Sequence, residues 1–336
     1  MAKAKILIAY DGSACSEKAL EDLKKAGMPD KAEAVVFSVA DSWIGYDQGW
    51  TTAGLSPQYA VIVNDELERT QALLKEAKSL SQKAAKKLKL LFPKWTVRAE
   101  ATTDLPAPAI LDKNETWRPS LIVMGSHGRS VMGRLFLGSV SHKVLTHAHS
   151  NLRISKEGGK KKGKYVYPRI LVALDGSQEA ETAFQAMLCR DWPESTHFRL
   201  VTVIDLKVGI AFAKPTGPIR YWMRNEDTDS VAWVERMFAY QKTQIEEKGW
   251  TVDSKALNGD PRHALLKEIA DWGADTVFAG TRGLTGRDRI MLGSVSTALA
   301  MHAPCAVEVV HRLWSATDCC TKALEQHRDC MMRSVK

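Results

Sequence analysis

The spacing Gly-x2-Gly-x9-Gly-Ser occurs twice in this chain, at Gly125, Gly128, Gly138 and Ser139 and again at Gly280, Gly283, Gly293 and Ser294. Each copy follows a short apolar run, Leu121–Met124 or Thr276–Ala279, and precedes a segment of helical periodicity. The order is therefore strand, glycine loop, helix start, written twice. Glycines in such a loop let the backbone approach a ligand closely or take positive φ, while the free amides and dipole of the following helix favour an anion. Ser139, Ser141, Ser294 and Ser296 add hydroxyl donors at the two helix mouths. No Gly-Lys-Ser/Thr follows either loop, which excludes a Walker A loop. A dinucleotide fingerprint is excluded as well, because that motif sits after the first strand and needs G-x-G-x-x-G.

The repeat extends well beyond the glycines. Lys5–Tyr10 is an apolar run of strand length ending in Asp11-Gly12-Ser13, and Arg169–Leu174 ends in Asp175-Gly176-Ser177. Val36–Asp41 matches Leu200–Asp205 in the same way. Continuous apolar runs separated by helical patterns predict buried parallel strands with helices on both faces. The fold class that follows is α/β, two open, doubly wound five-stranded parallel sheets in tandem. Residues 1–155 and 167–312 form the two domains, 156–166 a glycine-lysine linker, and 313–336 a tail outside the repeat. A helix is predicted from Asn64 to Leu91, after a long connection over residues 41–63 that has a counterpart over 206–230. The fifth strand of the first half, Asn151–Ile154, reads as short and polar beside its later counterpart Cys305–Val310. Ligands of open parallel sheets sit beyond the carboxyl ends of the strands, where the strand order reverses. Asp11 and the Gly125 loop can therefore share one crevice, and Asp175 and the Gly280 loop another.

With these residues the chain resembles the universal stress protein family, whose ATP-binding branch carries the same glycine spacing after the fourth strand. The resemblance covers nearly the whole chain, once per half, and implies a Rossmann-like fold of the adenine nucleotide alpha hydrolase-like kind. It implies ATP, or another adenine nucleotide, as ligand, with Asp11, Val39, Met124, Gly125, Gly128, Gly138, Ser139 and Ser141 around it in the first half. Asp175, Val203, Ala279, Gly280, Gly283, Gly293, Ser294 and Ser296 are the matching set in the second. The aspartates would meet the ribose and adenine, the end of the second strand the adenine edge, and the loop and serine the phosphates. A Mg²⁺ ion could join at Asp11 or Asp175, although no further oxygen ligands can be assigned to it. The resemblance implies a nucleotide-dependent sensor or regulator of the stress response. Two alternatives stay open, a slow ATP-hydrolysing enzyme and an adaptor that binds no nucleotide. No residue is assigned a catalytic role, because phosphoryl transfer needs positioned charge that is not legible near the loops.

Composition narrows the remaining classes. A net charge of +8 lies mostly in helix-like lysine stretches and one linker, which reads as a solvated surface more readily than as a nucleic-acid site. Six scattered cysteines, no signal-peptide pattern and no apolar run of membrane-spanning length point to a cytoplasmic protein without a membrane partner. The Cys319, Cys320, His327 and Cys330 group of the tail fits no standard zinc spacing. The two halves are expected to pack as an intrachain pseudo-dimer, with further pairing of chains and an unnamed protein partner as additional expectations.

Overall fold

A computed structural model of the chain describes residues 4–42, 56–128, 137–156, 167–204, 232–281 and 292–311. The first half runs β1 (Ala4–Ala9), α1 (Ala14–Asp22), β2 (Ala32–Asp41), α2 (Pro57–Leu91), β3 (Thr96–Asp104), α3 (Pro106–Trp117), β4 (Leu121–Gly125), α4 (Ser139–His147) and β5 (Asn151–Ser155). The second repeats it as β6 (Arg169–Leu174), α5 (Gln178–Leu188), β7 (His197–Ile204), α6 (Ala232–Glu246), β8 (Thr251–Asn258), α7 (Pro261–Trp272), β9 (Thr276–Gly280), α8 (Ser294–His302) and β10 (Ala306–Val310). The glycine-lysine linker from residue 157, the connection over 206–230 and the tail from residue 312 lie outside the described residues.

The two expected sheets are one. Their strands form a ten-stranded sheet in the order β3-β2-β1-β4-β5-β10-β9-β6-β7-β8. Pairing is parallel within each half and antiparallel only at β5–β10, where the halves join. Helices cover both faces, as parallel strands apolar on both sides require. On one face α1 and α2 close a core with Ile6, Ile8 and Val36, and α5 and α6 close another with Ile170, Val172 and Phe198. On the other face a single apolar cluster runs through both halves, from Val35 and Ile122 across Leu152 and Val307 to Val277 and Val201.

The long helix of the first half begins at Pro57 rather than Asn64, so about two turns of it lay inside the stretch assigned to a connection. Ser56 is extended and Pro57 takes the first helical position, where its missing amide costs nothing and its fixed φ suits the helix. The remainder of that connection, residues 43–55, lies outside the described residues.

The polar fifth strand has a physical reason. Leu152 and Ile154 of β5 point into the shared apolar cluster, and Arg153 between them points to the α1 and α5 face. There it is wholly buried and meets Asp22 at 2.6 Å, Glu308 of β10 at 3.4 Å and Thr276 Oγ1 at 3.0 Å. Glu308 is paired in turn with Arg190, which follows α5 and donates to Ala26 O of the first half at 2.8 Å. Burial works against the charge on Arg153, yet Asp22 and then Glu308 hold its pKa above the ordinary value. Burial pulls Arg190 down to about 10, which leaves it charged at neutral pH.

Beside this cluster Gly27 seats Trp192. Its φ of +59° is the left-handed region, and a Cβ there would come within 2.7 Å of the Trp192 indole. Gly27→Ala is therefore expected to lose about 1–3 kcal/mol of stability, from strain and overpacking together. Urea denaturation followed by tryptophan fluorescence measures this, and an unchanged midpoint would show that the seat is not tight.

Candidate functional site

Each half builds the same strand-end turn from Asp-Gly-Ser. Gly12 and Gly176 both have φ of +78°, a conformation that side chains rarely adopt, which lets β1 and β6 turn sharply into their helices. Ser13 caps α1 by accepting from Ser16 N at 3.2 Å, and Ser177 caps α5 by accepting from Ala180 N at 3.1 Å. The aspartates are thus not the helix caps. Asp11 Oδ1 and Asp175 Oδ1 each accept from the backbone amide of the capping serine, at 3.0 Å in both halves. That bond fixes the carboxylate, and its second oxygen, Oδ2 of Asp11, lies 3.0 Å from where a Cβ would sit on Gly128.

The glycine loop is laid directly onto the first turn of the neighbouring helix. A Cβ on Gly125 would stand 2.7 Å from the Cys15 carbonyl carbon, and one on Gly280 would stand 2.6 Å from the Glu179 carbonyl. Only glycine allows strand and helix to close to this distance. The far end of the loop is tied back by backbone bonds, Gly138 N to Ser126 O at 2.8 Å and Gly293 N to Thr281 O at 2.7 Å. Ser13 Oγ donates to His127 O at 3.3 Å, joining the aspartate turn to the loop itself.

These contacts leave a cavity of about 360 Å³ at the carboxyl ends of β1 and β4, the point where the strand order reverses. Asp11, Val39, Met124, Gly125, Gly128, Gly138, Ser139 and Ser141 all line it, so the structure brings together the whole set expected in the first half. The first amides of α4, from Ser139 onward, have no acceptor within the helix and open on this space. The serines divide in role. Ser139 is more open at the helix mouth, whereas Ser141 is buried and donates its hydroxyl to Gly125 O at 2.9 Å, locking loop to helix. Ser296 donates to Gly280 O in the same way at 2.5 Å, and Ser294 is the more open counterpart. The hydroxyls available for an anion at the two mouths are thus those of Ser139 and Ser294.

The sequence reading missed Phe37, Pro106 and Ile110, which also line the cavity. Phe37 lies two residues before Val39 on β2 and so shares its face, a period-2 signal that could have found it. Pro106 and Ile110 come from the first turns of α3, whose approach to the cleft no local pattern encodes. His127 lines the cavity too, its Nδ1 held 3.0 Å from Ser126 Oγ.

In the second half Asp175, Val203, Ala279, Gly280, Gly293, Ser294 and Ser296 sit at the matching strand and helix ends, and Gly283 lies outside the described residues. Ala279, where the first half has Met124, remains buried in the shared apolar cluster. No cluster of three His, Cys, Asp or Glu side chains fit to hold a metal ion occurs among the described residues. Among them, too, no helix is long and apolar enough to cross a membrane.

Comparison with known proteins gives a consistent result. The profile described as the universal stress protein family matches residues 4–155 and again residues 167–311. A universal stress protein of Mycolicibacterium smegmatis is 24% identical over 308 residues, covering 91% of this chain and 96% of that protein. A Staphylococcus epidermidis protein assigned to the same family is 32% identical over 145 residues, 43% of this chain and 84% of its own length. Among solved structures, a universal stress protein from Archaeoglobus fulgidus shares the fold with a TM-score of 0.55 at 23% identity, covering 92% of this chain and 96% of that one.

Proposed function

The chain belongs to the universal stress protein family, and from that premise we propose that each half binds an adenine nucleotide, ATP among the candidates, in its glycine cradle. Through that occupancy the chain would act as a nucleotide-dependent regulator of the stress response. The observation that carries the reading is the convergence of the Asp11 carboxylate, the Gly125–Gly128 backbone and the α4 amino terminus on one cavity. A β-carbon at Gly128 would intrude on that space against Asp11, so the close approach of bare backbone is built in.

The lining divides by chemistry into the parts of a nucleotide. Phe37, Val39, Ile110 and Met124 form apolar walls able to sandwich a planar base and exclude water from it. The main chain at Val39, near the end of β2, offers polar groups to the base edge. Asp11 accepts hydrogen bonds from sugar hydroxyls, its orientation set in advance by Ser13 N. The α4 amides and Ser139 Oγ receive the phosphates, whose charge the helix dipole favours. If a Mg²⁺ ion accompanies a triphosphate, Asp11 is the carboxylate that borders the cleft. These groups orient and retain a ligand, and the reading is of binding and release rather than turnover.

Titration calorimetry of the full chain with ATP, AMP and cyclic AMP tests this. Saturable heat approaching two ligands per chain is expected with at least one of them. Asp11→Ala should weaken one of the two sites by about tenfold or more while leaving the other unchanged, as loss of a hydrogen bond to a charged group implies. No heat with any of the three would overturn the proposal and favour the adaptor reading.

A further inference from the structure

Arg153 and Glu308 stand at the same position of the repeat, counted from Gly125 and from Gly280. They also stand opposite each other. In the antiparallel β5–β10 pairing, Glu308 is the direct partner of Arg153, flanked by Val307 with Ile154 and Val309 with Leu152. The join between the halves therefore has local two-fold symmetry, and its axis passes through this pair. At such an axis two identical halves would present this position to its own copy. Here it is occupied by opposite charges, and both side chains are fully buried.

The neighbours extend the alternation. From the first half to the second the charges run Asp22, Arg153, Glu308, Arg190, each touching the next and each opposite in sign to it. Two first halves joined through β5 would give Asp22, Arg153, Arg153, Asp22, with two guanidinium groups meeting where no water reaches. Two second halves joined through β10 would bring two carboxylates together in the same place. Like charges at a desolvated contact cost far more than at a surface, which makes the pair a device for discrimination more than for affinity. The steric contacts agree, because the bare backbone of Gly27 in the first half seats Trp192 of the second.

We infer that the Arg153–Glu308 pair commits the β5 edge of the first half to the β10 edge of a second half and excludes like-with-like joining. A second copy of this chain can enter the join only by supplying the opposite strand. This holds whether or not the cradles bind nucleotide.

The test uses full chains carrying one charge reversal each. Glu308→Arg presents arginine at both edges, and Arg153→Glu presents glutamate at both. Each alone is expected to lose its closed join, with a melting temperature lower by about 10 °C. Expressed together with different affinity tags, the two should be recovered as a 1:1 heterodimer on mass photometry. One of its joins restores the native Asp22, Arg153, Glu308, Arg190 order. The other sets the introduced glutamate against the introduced arginine but leaves each beside a like charge, Asp22 and Arg190, so the melting temperature should rise again only part of the way. Because the mixture is read directly, the test stands even if neither variant is soluble alone. Single reversals that melt like the unaltered chain, or co-expression that yields no 1:1 pair, would overturn the inference.

Discussion

A single methyl group added at Gly125 is expected to eliminate nucleotide binding in the first half and to cost the fold about 1–3 kcal/mol. The new Cβ would meet the carbonyl carbon and Cβ of Cys15 at 2.7 Å and Ser16 N at 2.9 Å, and two of these three are backbone atoms of α1 that cannot swing aside. Either β4 retreats or the first turn of α1 does. Retreat of β4 carries the whole loop out of line with Asp11, and movement of α1 breaks the Ser13 cap that orients Asp11. Gly280→Ala makes the equivalent collision with Glu179 at 2.6 Å and should eliminate the other site alone. Calorimetric stoichiometry separates them, each single variant binding one ligand fewer than the unaltered chain. Gly128→Ala is the informative companion. Its Cβ would lie 3.0 Å from Asp11 Oδ2, one side-chain atom rather than helix backbone, so binding should fall with a smaller loss of stability than at Gly125. Full stoichiometry in Gly125→Ala would mean that the loop is not the cradle.

The legible parts of this molecule are those that local chemistry writes twice. Apolar runs such as Lys5–Tyr10 and Arg169–Leu174 announce buried strands, and a shared glycine spacing announces two identical close approaches. All eight residues that the family resemblance assigned to the first cleft do line it; the glycines, aspartate and serines among them also answer to backbone needs that leave a mark on spacing, whereas Val39 and Met124 came from the resemblance alone. What stayed hidden depends on partners distant in sequence. Asn151–Ile154 read as a weak strand since periodicity cannot reveal that Arg153 has Asp22 and Glu308 waiting for it. The fusion of two sheets into one follows from the same blind spot, as nothing within β5 names β10 as its neighbour. Ile110 was missed because the tilt of α3 toward the cleft is set by packing, not by the helix itself. The first turns of α2 were lost for a local reason, Pro57 being read as a loop residue when it starts the helix.

Glu308→Ala is expected to be the most destabilising of these substitutions, at about 3–5 kcal/mol. Truncation removes the carboxylate held between Arg153 and Arg190, both of them buried to within 1% of complete enclosure. Of the carboxylates in this line of charges Asp22 would remain, and it touches Arg153 rather than Arg190. Burial already works against the charge on Arg190 and Glu308 offsets it, so truncation takes away the contact that compensates the enclosed guanidinium. Glu308→Gln should cost less, since its amide oxygen still accepts a hydrogen bond although the attraction between full charges is gone. Asp22→Ala should cost less again. Its side chain is 16% exposed, water can reach the space it leaves, and Arg153 keeps Glu308 as a partner. The order Glu308→Ala, Glu308→Gln, Asp22→Ala, from largest loss to smallest, can be read from urea midpoints at neutral pH. A loss below about 1 kcal/mol for Glu308→Ala would place these charges in the range of solvent-exposed pairs. The buried line of alternating charge would then have no part in holding the halves together, and the apolar cluster that crosses β5 and β10 would have to do so unaided.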